Sequence, residues 1–197
     1  MTNDLIKELR ELTGAGMMEI KGALEEAGGD KTKAVEILRK KGALKAGKKA
    51  DRVANEGIVE AYIHPGSRVG VLVEVNCETD FVARTDDFKH LAKELALHIA
   101  AANPLYVSTA DVPAEVVEKE KEIYKEQTLA GGKGKSDEIV NKILEGKIAK
   151  YYEEACLMEQ PFAKNPDIKV KDLIGEAVAK MGEKVVVKRF ARFVLGN

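Results

Sequence analysis

The first forty or so residues alternate short apolar stripes with glycine stops, a pattern that predicts three short helices. A first apolar stripe at helical spacing comprises Leu5, Ile6, Leu9 and Leu12. A second runs from Met17 to Ala27 and is broken by two glycines. Asp30 suits the N-cap of a third helix, which Gly42 is expected to end. Residues 1–42 are therefore predicted to form a small three-helix bundle.

The next segment, residues 43–55, is rich in alanine and lysine and has little apolar periodicity. Such a pattern is typical of a solvated helical connector rather than of an element that contributes to a core. We therefore expect a basic helical linker between the bundle and the rest of the chain.

From residue 56 onward the apolar period shortens to two, which is typical of strands. Residues 58–64 and 68–76 predict a hairpin, with alternate valines on one face of the second strand. Helical patterns follow at 86–102, 114–129, 137–158 and 170–181, with a glycine-rich break at 131–134. A β-branched and aromatic strand is predicted for 185–195. This order predicts an α+β domain over residues 56–197, with a three-stranded antiparallel sheet covered by helices.

So small a sheet has few helices available to cover both of its faces. We expect the second face to be covered by another copy of the chain, which makes a homodimer the predicted assembly.

Charge is almost balanced over the 197 residues, with a formal net charge of −1, which argues against general binding of polyanions. Residues 39–52 are the exception, with seven basic residues against one acidic residue. This run lacks interleaved aromatic residues, so a solvated connector is favoured over an RNA-binding surface. A ribosome- or RNA-associated module that uses residues 39–52 is kept as the alternative function.

Two cysteines in a chain of this length favour a reducing compartment over a disulfide scaffold. No apolar run approaches the roughly 18 residues that span a bilayer, and the first 20 residues lack a signal-peptide core. We therefore expect a cytoplasmic protein without a membrane partner.

Cys77 and the acidic residues beside it match no known metal-ligand spacing, and Cys77 at a strand end is typical of a small buried residue. The sequence thus predicts no catalytic residue, no metal and no cofactor, and a protein that is not an enzyme. A hydrolase built on Cys77 is the alternative.

The connection after the second predicted strand places Asp80 beside Phe81. A phenylalanine on a connection either folds back into its own core or projects toward a partner's pocket. Composition alone favours the core.

Two longer motifs change that preference. Residues 9–46 carry Leu-Arg, Thr-Gly-Ala-Gly-Met-Met and Lys-Gly-Ala-Leu, and residues 69–83 read Val-Gly-Val-Leu-Val-Glu-Val-Asn-Cys-Glu-Thr-Asp-Phe-Val-Ala. In this order and spacing, they resemble the two signatures of the translation elongation factor Ts family. Weaker matches occur at 98–101 and 160–162.

The resemblance implies a guanine-nucleotide exchange factor for elongation factor Tu. It implies a ubiquitin-associated-like bundle that touches the partner's GTPase domain through the positions of Arg10, Met17 and Met18. It also implies a segment that reaches the partner's nucleotide and Mg²⁺ site: Thr79, Asp80, Phe81 and Val82. Longer family members have two related core halves, whereas this chain resembles a short form with one half. Nucleic acid is not expected as a direct partner.

Adjacent methionines cannot both face the same helix core, so one of Met17 and Met18 is expected to be buried and the other exposed. Under the resemblance, the ring of Phe81 is expected to be exposed and to act as a wedge in the partner.

Overall fold

The computed structural model describes residues 3–130 and 137–196. Contacts divide the chain into two compact units. The first joins the residues up to Ala100 with those from Lys171 onward, and the second is Ala101–Val170. The predicted break at 131–134 lies outside the described residues.

Three helices begin the first unit: α1 (Asn3–Thr13), α2 (Met17–Glu26) and α3 (Lys31–Lys48). Their facing apolar stripes form one buried cluster, which contains Ile6, Leu9, Ala15, Ile20, Ala23, Leu24, Ala34 and Leu38. The predicted bundle is therefore present, because each short amphipathic helix buries its apolar face only against the other two.

The expected end of the third helix at Gly42 is wrong, because α3 continues to Lys48. Gly42 is buried, and a Cβ placed on it would lie 3.5 Å from the Cβ of Ala179 in a later helix. The absent side chain allows this close helix packing, and the contact outweighs the cost of about 1 kcal/mol for a glycine inside a helix. Of the expected connector, residues 49–55 lie outside helix and strand. The division into 1–42, 43–55 and 56–197 stays a prediction.

The sheet of the first unit has the order β1-β2-β5, and both pairs are antiparallel. Its strands are β1 (Glu56–Ile63), β2 (Val69–Cys77) and β5 (Val185–Val194). The register of β2 against β5 shifts between Glu74 and Val75, and beyond this irregularity Cys77 pairs with Val185. The end of β2 therefore lies beside the start of β5.

One face of the sheet is buried and the other is exposed. Val71, Val73 and Val75 of β2 point inward and are almost completely buried. The outer face carries large apolar side chains that are at least 47% exposed, namely Val59, Ile63, Leu72 and Phe193. We call these four residues the outer sheet face.

Two helices of this unit contribute buried apolar stripes. Helix α5 (Asp86–Ala102) buries Phe88, Leu95 and Ile99, and α8 (Val170–Met181) buries Ile174 and Val178. Hydrogen bonds from the Arg192 guanidinium to the carbonyl oxygen of Ala100 join β5 to the end of α5.

The bundle also packs against α8. Arg39 Nε donates to Glu176 Oε1 at 2.9 Å, and burial raises the pKa of Glu176 although Arg39 opposes this shift. Gly14 has a φ of +64° and leaves space for the Lys180 side chain, which crosses it to reach Asp87. One contact comes from the middle of α3 and the other from the residue after α1, so the bundle contacts α8 directly.

The second unit contains α6 (Ala114–Ala130), α7 (Asp137–Ala155) and a small two-stranded sheet of β3 (Pro161–Phe162) and β4 (Asn165–Lys169). Gln160 is buried and donates to the carbonyl oxygens of Ala102 and Glu154, near the ends of two helices. These bonds satisfy terminal helix carbonyls that have no partner within their own helix.

The predicted α+β class, with three amino-terminal helices and a three-stranded antiparallel sheet accompanied by helices, is confirmed. Whether the bundle has the ubiquitin-associated-like fold stays a prediction. Among the helices that the structure describes, none combines the length and apolar character needed to cross a bilayer.

Candidate functional site

The segment after β2 forms a one-turn helix, α4 (Asp80–Ala83), whose N-cap is Thr79. The backbone N–H of Val82 donates to Thr79 Oγ1 at 3.3 Å, the usual bond of a capping threonine. Thr85 then caps α5 by accepting a bond from the Phe88 backbone at 3.3 Å. Two successive threonine caps therefore fix the chain direction through this turn.

Within α4, neighbouring side chains point in opposite directions. Phe81 is 78% exposed, whereas Val82 is 8% exposed and Ala83 is also buried. The buried pair anchors the turn to the first unit, and the ring of Phe81 stands in solvent, as the wedge hypothesis requires. The side chain of Val82, predicted to be part of the partner contact, instead faces inward in the free protein.

A turn from the far end of the chain holds this segment in place. Glu183 Oε2 accepts the backbone N–H groups of Glu78 and Thr79 at 3.1 and 3.0 Å. The hydroxyl of Thr79 donates to Glu183 Oε1 at 2.7 Å. Both oxygens of one carboxylate are therefore engaged by two consecutive residues.

Glu78 makes the reciprocal contact. Its carboxylate accepts the backbone N–H of Lys184 at 2.6 Å, and this bond, with help from the Arg52 guanidinium at 3.3 Å, lowers the pKa of Glu78. Lys184 Nζ in turn donates to the carbonyl oxygens of Ala50 and Arg52. Three separate stretches of chain thus meet beside the turn that displays Phe81.

Asp80 is exposed and pairs with Arg84 one turn later, with 2.7 Å between Oδ2 and Nη2. Exposed pairs at this spacing contribute only about 0.3–0.5 kcal/mol. Asp80 can therefore exchange Arg84 for another partner at small cost.

The other predicted contact residues lie at one end of the bundle. Arg10 is in the last turn of α1, and Met17 and Met18 begin α2. All three are exposed, with 52% for Met17 and 78% for Met18, so the expectation that one methionine is buried is wrong. Burial in α2 begins at Ile20, because Ala15 fills the bundle core ahead of the helix.

Several of the basic residues in 39–52 have partners inside the molecule. Arg39 pairs with Glu176, Lys41 with Glu26, and Arg52 with Glu78, while Lys49 donates to the carbonyl oxygen of Gly182. These contacts reduce the positive charge that this run could offer to RNA.

Cys77 does not have the surroundings of an activated nucleophile. It is fully buried, its Sγ donates to the carbonyl oxygen of Thr79 at 3.1 Å, and burial together with the charge of Glu183 raises its pKa. Reactive thiols have lowered pKa values and some exposure. Across residues 3–130 and 137–196, no cluster of His, Cys, Asp and Glu side chains has the arrangement of a metal site.

Sequence reasoning did not find Glu183, Lys184 or the one-turn helix. More than 100 residues separate Glu183 from Thr79, and a Gly-Glu-Lys turn has no local signal for such a contact.

Comparisons with known proteins support the same identity as the two sequence motifs. Residues 17–197 match the family model described as elongation factor TS. The chain is 59% identical over 197 residues to elongation factor Ts of Carboxydothermus hydrogenoformans, covering all of this chain and 90% of that protein. It is 60% identical to elongation factor Ts of Heliobacterium modesticaldum, over all of this chain and 91% of that protein. It is also 60% identical to elongation factor Ts of Thermotoga petrophila, over 98% of this chain and 96% of that protein. The chain therefore belongs to the elongation factor Ts family.

Proposed function

We propose that this protein is a guanine-nucleotide exchange factor for the translational GTPase elongation factor Tu and acts in the cytoplasm. The observation that carries the proposal is Phe81, a large apolar ring that is 78% exposed on a capped and anchored turn. Membership of the family supports the choice of partner. The protein acts by binding, without covalent chemistry.

Exchange requires that the factor bind the nucleotide-free partner more tightly than the nucleotide-bound one. Phe81 would enter the partner beside its nucleotide site, and Asp80 would leave Arg84 to compete for hydrogen bonds that support the Mg²⁺ ion. Burying one phenylalanine contributes about 1.5–3 kcal/mol. At about 1.4 kcal/mol per tenfold, this weakens nucleotide binding by roughly one to two orders of magnitude.

A larger weakening of nucleotide binding requires a second contact between this protein and elongation factor Tu. The exposed end of the bundle, with Arg10, Met17 and Met18, is suited to this role, because flexible methionine side chains adapt to a partner surface. Its packing against α8 fixes the bundle within the first unit, which also carries Phe81.

The proposal is tested by GDP release. Elongation factor Tu loaded with a fluorescent GDP analogue is mixed with excess unlabelled GDP, and this protein is titrated in. We expect the release rate to rise with protein concentration and to saturate at least a hundredfold above the spontaneous rate.

Heat-denatured protein and an unrelated GTPase serve as controls. An unchanged release rate at saturating protein contradicts the proposal. Salt-sensitive RNA binding in the same preparation would then favour the alternative, an RNA-associated module that uses residues 39–52.

The protein is also proposed to work as a homodimer through the outer sheet face. Its four large apolar side chains, Val59, Ile63, Leu72 and Phe193, lie on neighbouring strands and form one exposed apolar surface. Contiguous exposed apolar patches are typical of interaction sites. Two copies would bury this surface against each other, and each would supply part of the grip on elongation factor Tu.

We expect Leu72→Asp to halve the mass measured by light scattering at micromolar concentration. The substitution puts a carboxylate at the centre of the proposed interface, and burying an unpaired charge there costs free energy of association. Because Leu72 is exposed in a single copy, the same substitution should cost the fold little. Leu105→Asp is the matched control, because Leu105 is also an exposed leucine but lies in the second unit. This control variant should leave the mass unchanged. Equal masses for the two variants would contradict the proposed interface.

A further inference from the structure

We infer that Glu183 is a positioning residue for exchange: its carboxylate holds the turn that displays Phe81 in the conformation that elongation factor Tu binds. The inference rests on the proposed function, which assigns the exchange contact to this turn. It adds a residue that lies outside the turn and comes from the other end of the chain.

Three hydrogen bonds converge on the carboxylate of Glu183. Its carboxylate accepts two backbone N–H groups and one hydroxyl, at 3.1, 3.0 and 2.7 Å, from Glu78 and Thr79. Hydrogen bonds to a charged acceptor are roughly twice as strong as neutral ones. The carboxylate thus ties two consecutive residues immediately before α4 to the start of β5.

Helix α4 depends on contacts outside itself for its orientation. A helix of four residues, Asp80–Ala83, is well below the length at which helices become stable alone. Its orientation is set by its cap and by the burial of Val82. Thr79 is that cap, and the same hydroxyl that accepts from Val82 donates to Glu183.

The contact between the two turns is reciprocal. While Glu183 binds the backbone of residues 78 and 79, the Glu78 carboxylate accepts the backbone N–H of Lys184 at 2.6 Å. Each turn therefore supplies a carboxylate to the backbone of the other. We call this arrangement the carboxylate clamp of Glu78 and Glu183. Loss of Glu183 removes three of its bonds and leaves Thr79 tied mainly to its own short helix.

The rate at which the Cys77 thiol reacts with iodoacetamide reports opening of the carboxylate clamp, independently of any exchange activity. Cys77 is fully buried and its Sγ donates to the carbonyl oxygen of Thr79, so movement of residues 78–82 exposes it. Cys156, fully buried in the second unit, is an internal reference. We expect Glu183→Ala to raise the rate of native iodoacetamide labelling of Cys77 at least tenfold, measured peptide by peptide, with Cys156 unchanged.

Glu183→Gln separates positioning from charge. Glutamine keeps an oxygen for the two backbone N–H groups, and its amide can donate to Thr79 Oγ1, but it removes the negative charge beside the Cys77 thiol. We expect its Cys77 labelling to stay within threefold of the wild-type rate. Equal acceleration in the alanine and glutamine variants would mean that charge alone controls the thiol, and would overturn the inference.

The exchange assay gives two separate parameters for each variant, the half-saturating concentration and the maximal rate of GDP release. A protein whose binding-competent conformation is less populated has a proportionally weaker apparent affinity, while the bound complex is the same. We expect Glu183→Ala to raise the half-saturating concentration for GDP release about tenfold and to change the maximal rate less than twofold. Glu183→Gln should restore the half-saturating concentration to within threefold.

Asp111→Ala is the matched control for the exchange assay. Asp111 also holds a turn, with Oδ2 accepting the backbone N–H and the hydroxyl of Ser108 at 2.8 and 2.7 Å, but in the second unit. Its removal should leave both exchange parameters unchanged.

The outcomes separate this inference from the proposed function. Protected Cys77 in Glu183→Ala, or an unchanged half-saturating concentration, overturns the positioning role while exchange by the wild-type protein stands. Absence of exchange by the wild-type protein removes the proposed function, and the positioning role falls with it even where Cys77 labelling shows that the clamp exists.

Discussion

Replacing Phe81 with alanine is expected to lower the maximal rate of GDP release from elongation factor Tu by about ten- to a hundredfold. The ring is 78% exposed in the free protein, so its removal costs the fold little. Its whole contribution of about 1.5–3 kcal/mol is made inside the partner. A contact that favours the nucleotide-free complex accelerates release, whereas a contact made equally in both states does not.

Saturation curves for the fluorescent GDP assay give both parameters of this variant. Leu105→Ala is the control, because it removes another large exposed apolar side chain from a different unit. A maximal rate for Phe81→Ala equal to that of the wild-type protein would end the wedge hypothesis. The contrast with Glu183→Ala is a further check, since that variant is expected to change the half-saturating concentration instead.

Gly57→Ala is expected to destabilise the protein by about 2–6 kcal/mol, the sum of two contributions. Gly57 has a φ of +149°, and a Cβ there would lie 2.7 Å from Asn76 Cα and closer still to the carbonyl oxygen of Val75. The backbone strain is worth about 1–3 kcal/mol, and the displacement of the neighbouring strand about 1–3 kcal/mol more. Asn76, the pairing partner of Gly57, lies at the end of β2 that leads into the turn that carries Phe81.

Thermal unfolding followed by circular dichroism measures this effect, which corresponds to a fall in Tm of roughly 4–24 °C. Gly22→Ala is the matched control. Gly22 lies inside α2, and a Cβ there meets no neighbour within 4 Å. Alanine at this helical position should raise stability by about 0.5–1 kcal/mol. Similar Tm values for the two variants would contradict the packing described for β1 and β2.

Sequence periodicity was sufficient for most of the elements. The helix predicted for 86–102 is observed as Asp86–Ala102, and the last strand, predicted for 185–195, is Val185–Val194. In both, local apolar spacing agrees with the tertiary packing. Gly42 shows where local signals fail, because its stop signal in α3 is overridden by a close contact with α8.

The candidate site likewise contains residues that the sequence predicts and residues that it does not. Its displayed residues, Asp80 and Phe81, were predicted from a family motif, and the structure gives the exposure of the ring. Glu183 was not predicted, because no pattern within a few residues of it records a hydrogen bond to Thr79. The partner contact of Val82 stays a prediction, and its burial in the free protein is a feature that the motif does not give.

The central position of β2 sets the order in which the molecule can be completed during synthesis. Its register partners in β5 are synthesised more than 100 residues after β1 and β2. Until then one edge of β2 has no strand beside it, and Thr79 has no Glu183. A nascent chain can therefore form its bundle early, but the turn that displays Phe81 gains the hydrogen bonds of Glu183 only after the whole stretch from β2 to β5 has been synthesised.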